Sequence, residues 1–175
     1  MYRVLVGVIL LFALVGLMFG QGTKVATATS SQPFTLHGET VNPSGVPSWP
    51  VMAGDEIVAG SAPVTLTFSD GSRISLAPGS KAKLEEAGGK VVFRLLVGEA
   101  AYDLKQLNSV TLFAFDKMVK PAGFRGTYAM AGAKRAAAKF WTAKNMALVF
   151  GGAAAAAVGL GVAAANGPGS VSPSR

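Results

Sequence analysis

Between residues 54 and 104, apolar and polar side chains alternate in short runs separated by glycine or proline. Val64, Leu66 and Phe68 alternate with Thr65, Thr67 and Ser69, the period of a strand with one buried face. Asp70 and Gly71 follow as a predicted type I′ turn, with Gly71 supplying the positive φ that a tight hairpin needs. Ile74 and Leu76 alternate with Arg73 and Ser75 on the return strand, and Pro78 and Gly79 mark a second turn. Ala82 and Leu84 resume the pattern until Gly88 and Gly89 break it. Val91, Phe93 and Leu95 begin a further strand, and Gly98 marks a bend or bulge before a strand over 100–104. The pattern predicts short antiparallel strands joined by hairpins.

The flanks extend it. Residues 23–32 are small and polar and read as a spacer. Phe34, Leu36 and Val41 suggest one strand. Residues 42–50 form a connecting loop, since Pro43, Pro47 and Pro50 have no N–H to give a ladder, and Trp49 is expected as a lid over one end of the core. Val110, Leu112 and Ala114 alternate with Thr111, Phe113 and Phe115. Both faces of that strand are largely apolar, which predicts a strand covered on two sides. Residues 117–123 read as a turn around Pro121, and 124–130 as the last strand. Eight or so short strands favour a mainly β fold, an antiparallel sandwich or barrel-like domain over 30–132.

The two ends are different. Residues 4–19 carry no charge and follow Arg3, while Ala26, Thr27 and Ala28 offer a small-x-small cleavage site. Residues 1–28 are therefore expected to be a signal peptide or an uncleaved anchor. Residues 133–145 form a basic membrane-flanking segment in which Lys134, Arg135, Lys139 and Lys144 surround Phe140 and Trp141. The two aromatics suit headgroup level, and the cations suit lipid phosphates. Residues 146–165 are uncharged and rich in Ala and Gly, long enough for a transmembrane helix that crosses about 30 Å of hydrocarbon. Gly151, Gly152, Gly159 and Gly161 give it faces for self-association. Residues 166–175 read as a disordered tail.

Topology is contested within the sequence. The N-terminal segment directs the β domain outward, and the first segment usually dominates orientation. Four basic residues precede the second segment and only Arg175 follows it, which by charge alone favours the reverse. A third arrangement has the Ala/Gly-rich segment packing on itself or on a partner. The outward arrangement is the one expected here.

Composition adds limits. The chain has 175 residues, 50% of them hydrophobic, no cysteine and one histidine. Its mean hydropathy of +0.42 reflects the apolar ends. Without cysteine the core alone must hold the domain. No cofactor or metal site is predicted, because a lone His37 and no thiol leave no ligand set or activated nucleophile. Asp55, Glu56, Asp70, Glu85, Glu86, Glu99 and Asp103 are scattered near predicted turns and strand ends, where carboxylates ordinarily face water. The formal charge of +7 raises nucleic acid as a partner. Arg73, Lys81, Lys83, Lys90 and Arg94 could form a stripe, but no readout motif accompanies them, so nucleic acid is not an expected partner.

Three blocks, GDEIVAG from Gly54, VTLTFSDGSRISLAPGS from Val64 and VVFRLLVGEAAYDL from Val91, resemble the FecR-type periplasmic domain of bacteria. The likeness covers about fifty residues directly. It implies a β domain on the periplasmic side of the bacterial inner membrane, in a family that relays surface signals to a sigma factor. That relay uses an N-terminal cytoplasmic region, and only residues 1–3 precede the apolar segment here. The leading expectation is therefore a membrane-tethered envelope protein, not an enzyme, whose β domain binds or scaffolds a protein partner. Transmembrane signal relay stands second and catalysis third.

Overall fold

The cores of the strands are where the alternation puts them. The computed structural model describes residues 23–130 and 140–151, and these contain two β-sheets and one short helix. The strands are β1 (Lys24–Ser30), β2 (Phe34–Leu36), β3 (Glu39–Val41), β4 (Trp49–Met52), β5 (Glu56–Val58), β6 (Val64–Phe68) and β7 (Arg73–Leu76). They continue as β8 (Lys81–Ala87), β9 (Lys90–Val97), β10 (Glu99–Asp103), β11 (Val110–Ala114), β12 (Lys117–Val119) and β13 (Arg125–Ala129). The helix, α1, spans Ala143–Phe150. One sheet has the order β13-β10-β7-β6-β1-β4, the other β12-β11-β9-β8-β5-β2-β3.

A single apolar core draws on both sheets. Val64, Leu66, Ile74, Leu76 and Ala100 come from the six-stranded sheet, and Ile57, Leu84, Phe93, Leu95 and Leu112 from the other. All are at most 1% exposed, so each contributes roughly 1.5–3 kcal/mol of burial except the smaller alanine. In β6 the burial alternates strictly, with Thr65 and Thr67 on the outer face.

The chain is not a simple succession of hairpins. The pairs β2–β3, β6–β7, β8–β9 and β11–β12 are hairpins, but the connections between them pass from one sheet to the other. Pro78 and Gly79 make the crossing from β7 to β8. Ser80 N–H bonds the Ala77 carbonyl at 3.0 Å around Gly79 at φ 72°, as in a type II turn. Gly98 makes the crossing from β9 to β10, where a Cβ would collide with the Ser80 side chain. Because β10 leaves for the other sheet, β11 returns to pair with β9 in parallel, an arrangement that needs a crossover.

Several sequence expectations are corrected. Residues 23–32 are not a spacer: β1 is an interior strand paired with both β4 and β6, and Val25, Ala26 and Ala28 are buried. Small side chains hid the alternation, while the threonines between them suit a strand. The single strand through 34–41 is a hairpin, turned at His37 and Gly38 with both φ values positive. The predicted type I′ turn at Asp70 and Gly71 is instead a three-residue loop. Phe68 N–H bonds the Ser72 carbonyl at 2.9 Å, Gly71 N–H bonds the Phe68 carbonyl at 3.0 Å, and Gly71 alone has positive φ. Gly88 and Gly89, both with positive φ, form a two-residue turn of that kind, as His37 and Gly38 do, and join Ala87 to Lys90.

The loop predicted over 42–50 stops at Ser48, because Trp49 and Pro50 belong to β4, an edge strand that tolerates proline. Trp49 does pack against the core. The turn over 117–123 contains β12. The strand β11 is covered on one face only: Phe113 on the other lies half-exposed beneath the Arg94 guanidinium, 4.7 Å from its centroid.

Candidate functional site

All five residues of strand β10 are buried. Ala100 and Tyr102 belong to the core, so alternation puts Glu99, Ala101 and Asp103 on the opposite face. A buried carboxylate is tolerated when paired, and the register supplies partners for Asp103 on both sides. Arg73 on β7 and Arg125 on β13 stand directly opposite it. Their Nη2 atoms lie 3.2 and 3.1 Å from the same Asp103 oxygen, Oδ2.

Arg73 carries a second load. Its Nη2 also donates to the Phe150 carbonyl at 2.5 Å, and its guanidinium lies 5.5 Å from the Phe150 ring centroid. Phe150 is the last residue of α1 and is buried. A cation at the C-terminal carbonyls of a helix complements the helix dipole, and α1 has no basic residue of its own in its last turn. At the other end Thr142 caps the helix, its hydroxyl accepting from Asn145 N–H at 3.3 Å. The Trp141 ring stacks on Phe150 with centroids 6.3 Å apart, and Phe140 meets Trp141 edge-on at 4.9 Å. A charged triad on the sheet thus holds an aromatic clasp around the helix.

The same end of the sandwich gathers three connections. Ser72 is their hub. Its N–H and hydroxyl both bond Asp70, its Oγ lies 3.1 Å from Ser109 Oγ, and it accepts from Lys105 N–H at 2.9 Å. Leu104 N–H bonds the Phe124 carbonyl at 2.7 Å. The β6–β7 turn and the loops at 104–109 and 120–124 are therefore one joined surface. Burial works against ionisation of Asp70, but hydrogen bonds from Ser72 and Ser109 outweigh it and hold the carboxyl below its ordinary value.

The sequence-predicted site residues separate into two groups. Asp70 and Gly71 belong to this end, while Pro78 and Gly79 lie at the crossing from β7 to β8. Of the membrane-flanking set, Phe140 and Trp141 form the clasp and Lys144 is exposed on α1. Lys134, Arg135 and Lys139 lie outside the described residues, as do residues 1–22 and the part of the apolar segment beyond Gly151. Within the described residues α1 ends at Phe150, with Gly151 at φ 68°. Among these residues no helix is long and apolar enough to cross a membrane.

Asp103 and Arg125 were the residues that sequence reasoning missed. The signal was an aspartate flanked by Tyr102 and Leu104 in an apolar strand, where an unpaired charge is too costly to bury. The expectation that the carboxylates face water fails for Asp55, Glu99 and Asp103, which are buried. Asp55 ties the His37 turn to β4, with His37 Nδ1 3.1 Å from Oδ1 and Met52 N–H 2.8 Å from Oδ2. Glu99 has no side-chain hydrogen bond among the described residues, and burial raises its pKa.

The five basic residues of the suggested stripe do not converge. Arg73 is on one sheet and the other four on the second. Lys81 pairs with Glu56, while Lys83 and Arg94 share Glu85. Burial opposes ionisation of Glu85, but the hydrogen bonds from Arg94 and Lys83 outweigh it and lower its pKa. Among the described residues no group of three or more His, Cys, Asp or Glu side chains converges as a metal site. The chain matches no protein-family model, no curated protein and no solved structure.

Proposed function

We propose that this chain is a membrane-tethered protein of the bacterial envelope whose FecR-like β sandwich binds or scaffolds a protein partner on the periplasmic side. The observation that carries the reading is the joint at Arg73, Asp103 and Arg125, which holds α1 to the sheet at Phe150, within the first residues of the apolar stretch over 146–165. A domain built to float free of its tether needs no such fixed joint. A domain that presents one face to a partner at a set orientation does.

The distribution of charge supports the same reading. Within residues 23–130, ten Lys and Arg stand against nine Asp and Glu, so the sandwich is close to neutral. The remaining six cations lie in the flanking segments, where no acid accompanies them. An excess of positive charge beside apolar runs suits anionic lipid.

Signal relay is the second reading, favoured by the same joint: a rigid link between sandwich and helix can pass a partner's binding towards the membrane. The two differ in a measurable way. In relay, Asp103→Asn abolishes the output but leaves partner capture intact; in scaffolding, output follows capture.

The test of compartment is a reporter fused after Gly132. Alkaline phosphatase fused there is active and a conventional fluorescent protein dark if the sandwich is periplasmic. The opposite pair of results puts the sandwich in the cytoplasm and ends the envelope reading.

A further inference from the structure

We infer that the end of the sandwich formed by the loops at 104–109 and 120–124 lies against an anionic lipid surface. The proposal rests on the tethered reading and adds the orientation of the domain.

Three observations converge on this end. The first is the position of the tether: the Phe150 carbonyl is held by Arg73, whose partner Asp103 directly precedes the 104–109 loop. The first residues of the apolar stretch over 146–165, as far as Phe150, are therefore fixed at this end. The second is exposed apolar surface. Phe124 is 56% exposed and Leu107 41%, in loops where nothing in the fold requires them, and Leu148 on α1 is 76% exposed. The third is charge. Lys105, Lys120 and Lys144 are exposed, while of the acids here Asp103 is buried and paired with Arg73 and Arg125, and the Asp70 carboxylate is engaged by Ser72. Aromatic and aliphatic side chains among lysines are the composition that settles at a headgroup layer.

A second apolar cluster exists on the hairpin of β11 and β12, where Phe115 and Met118 are 56% and 60% exposed. Phe115 N–H bonds the Leu95 carbonyl near the end of β9, whereas the proposed lipid face adjoins the start of β11. The two clusters lie at opposite ends of β11, so one flat membrane cannot cover both. Docking through Phe124 leaves the Phe115 hairpin in water, free for a protein partner.

The absence of cysteine allows a clean test. Full-length Leu107→Cys, Phe124→Cys and Met118→Cys each carry one environment-sensitive fluorophore, in phosphatidylcholine vesicles with and without phosphatidylglycerol. Labels at 107 and 124 should shift to the blue in anionic vesicles and be quenched from the lipid side. Combining Lys105→Gln with Lys120→Gln should weaken that response severalfold. The label at 118 should remain in water throughout. Co-flotation with wet labels at 107 and 124 overturns the lipid surface while leaving the tether standing. Loss of co-flotation removes the tether, and this proposal with it. A blue shift that appears equally in detergent and grows with protein concentration identifies a second protein copy instead of lipid and also overturns the proposal.

Discussion

At the residue scale, the clearest case is Gly71. It closes the β6–β7 loop at φ 83°, where a side chain meets only the flexible Lys105 stem, so the constraint is backbone conformation and not space. Gly71→Val should cost on the order of 1–3 kcal/mol, read as a lower melting temperature of the 23–130 fragment. An unchanged melting temperature means that the loop tolerates valine. Phe115 is the converse. It holds φ 57° at a hairpin tip where glycine is the natural choice, and its side chain is largely exposed. Phe115→Gly should leave stability unchanged or raise it by up to about 1 kcal/mol, and a clear loss would show that the ring packs better than its exposure implies. Glu99 makes a pH prediction. Because burial raises its folded pKa above the ordinary 4.5, the folded state holds the proton more tightly than the unfolded one. Stability from this group is therefore lost as pH rises from about 4 through the raised value. Glu99→Gln should stabilise the protein at neutral pH and make no difference at about pH 3. Equal effects of the substitution at both pH values would remove burial of the charge as the cause.

At the scale of elements, β1 decides where the domain starts. It pairs on both edges, so cleavage after Ala28 would strip most of an interior strand from the six-stranded sheet. A fragment beginning at residue 23 should unfold cooperatively, and one beginning at residue 31 should not fold. Correspondingly, the mature N-terminus in cells should lie upstream of Lys24 or be the uncleaved start, as intact-mass measurement would read directly. A mature chain starting at Thr29 with a folded sandwich contradicts the role given to β1. The joint between α1 and the sheet depends on a buried charge with two partners. Asp103→Ala leaves two arginines facing each other and should cost about 3–5 kcal/mol. Arg73→Ala should be milder for the sheet but free the helix, moving Trp141 fluorescence to the red in a Trp49→Phe background. Unaltered Trp141 emission would mean that the aromatic stacking holds α1 without Arg73.

For the molecule as a whole, near-neutrality of the sandwich separates it from its flanks. A 23–130 fragment should show no salt-dependent retention on nucleic acid comparable to that of the full chain, since six unaccompanied cations are absent from it. Comparable retention would place the basic function within the sandwich. What the sequence determined was the local part of this architecture. Period-two alternation marked β6, β7, β8 and β9, because a strand half-buried in a sheet must segregate its side chains by face. Gly71, Gly79, Gly88, Gly89 and Gly98 marked where the chain turns, because positive φ is strongly disfavoured for other residues. The sequence was weaker where side chains are small, as in β1, since alanine and threonine carry little contrast between faces. It was silent on which turns close hairpins and which carry the chain to the opposite sheet, as Pro78 and Gly98 do. That choice depends on where each strand finds a free ladder edge, which no local pattern encodes. The clasp belongs wholly to tertiary structure: Arg73, Asp103, Arg125 and Phe150 are far apart in sequence, and only the strand order β13-β10-β7 sets two guanidiniums on either side of one buried carboxylate.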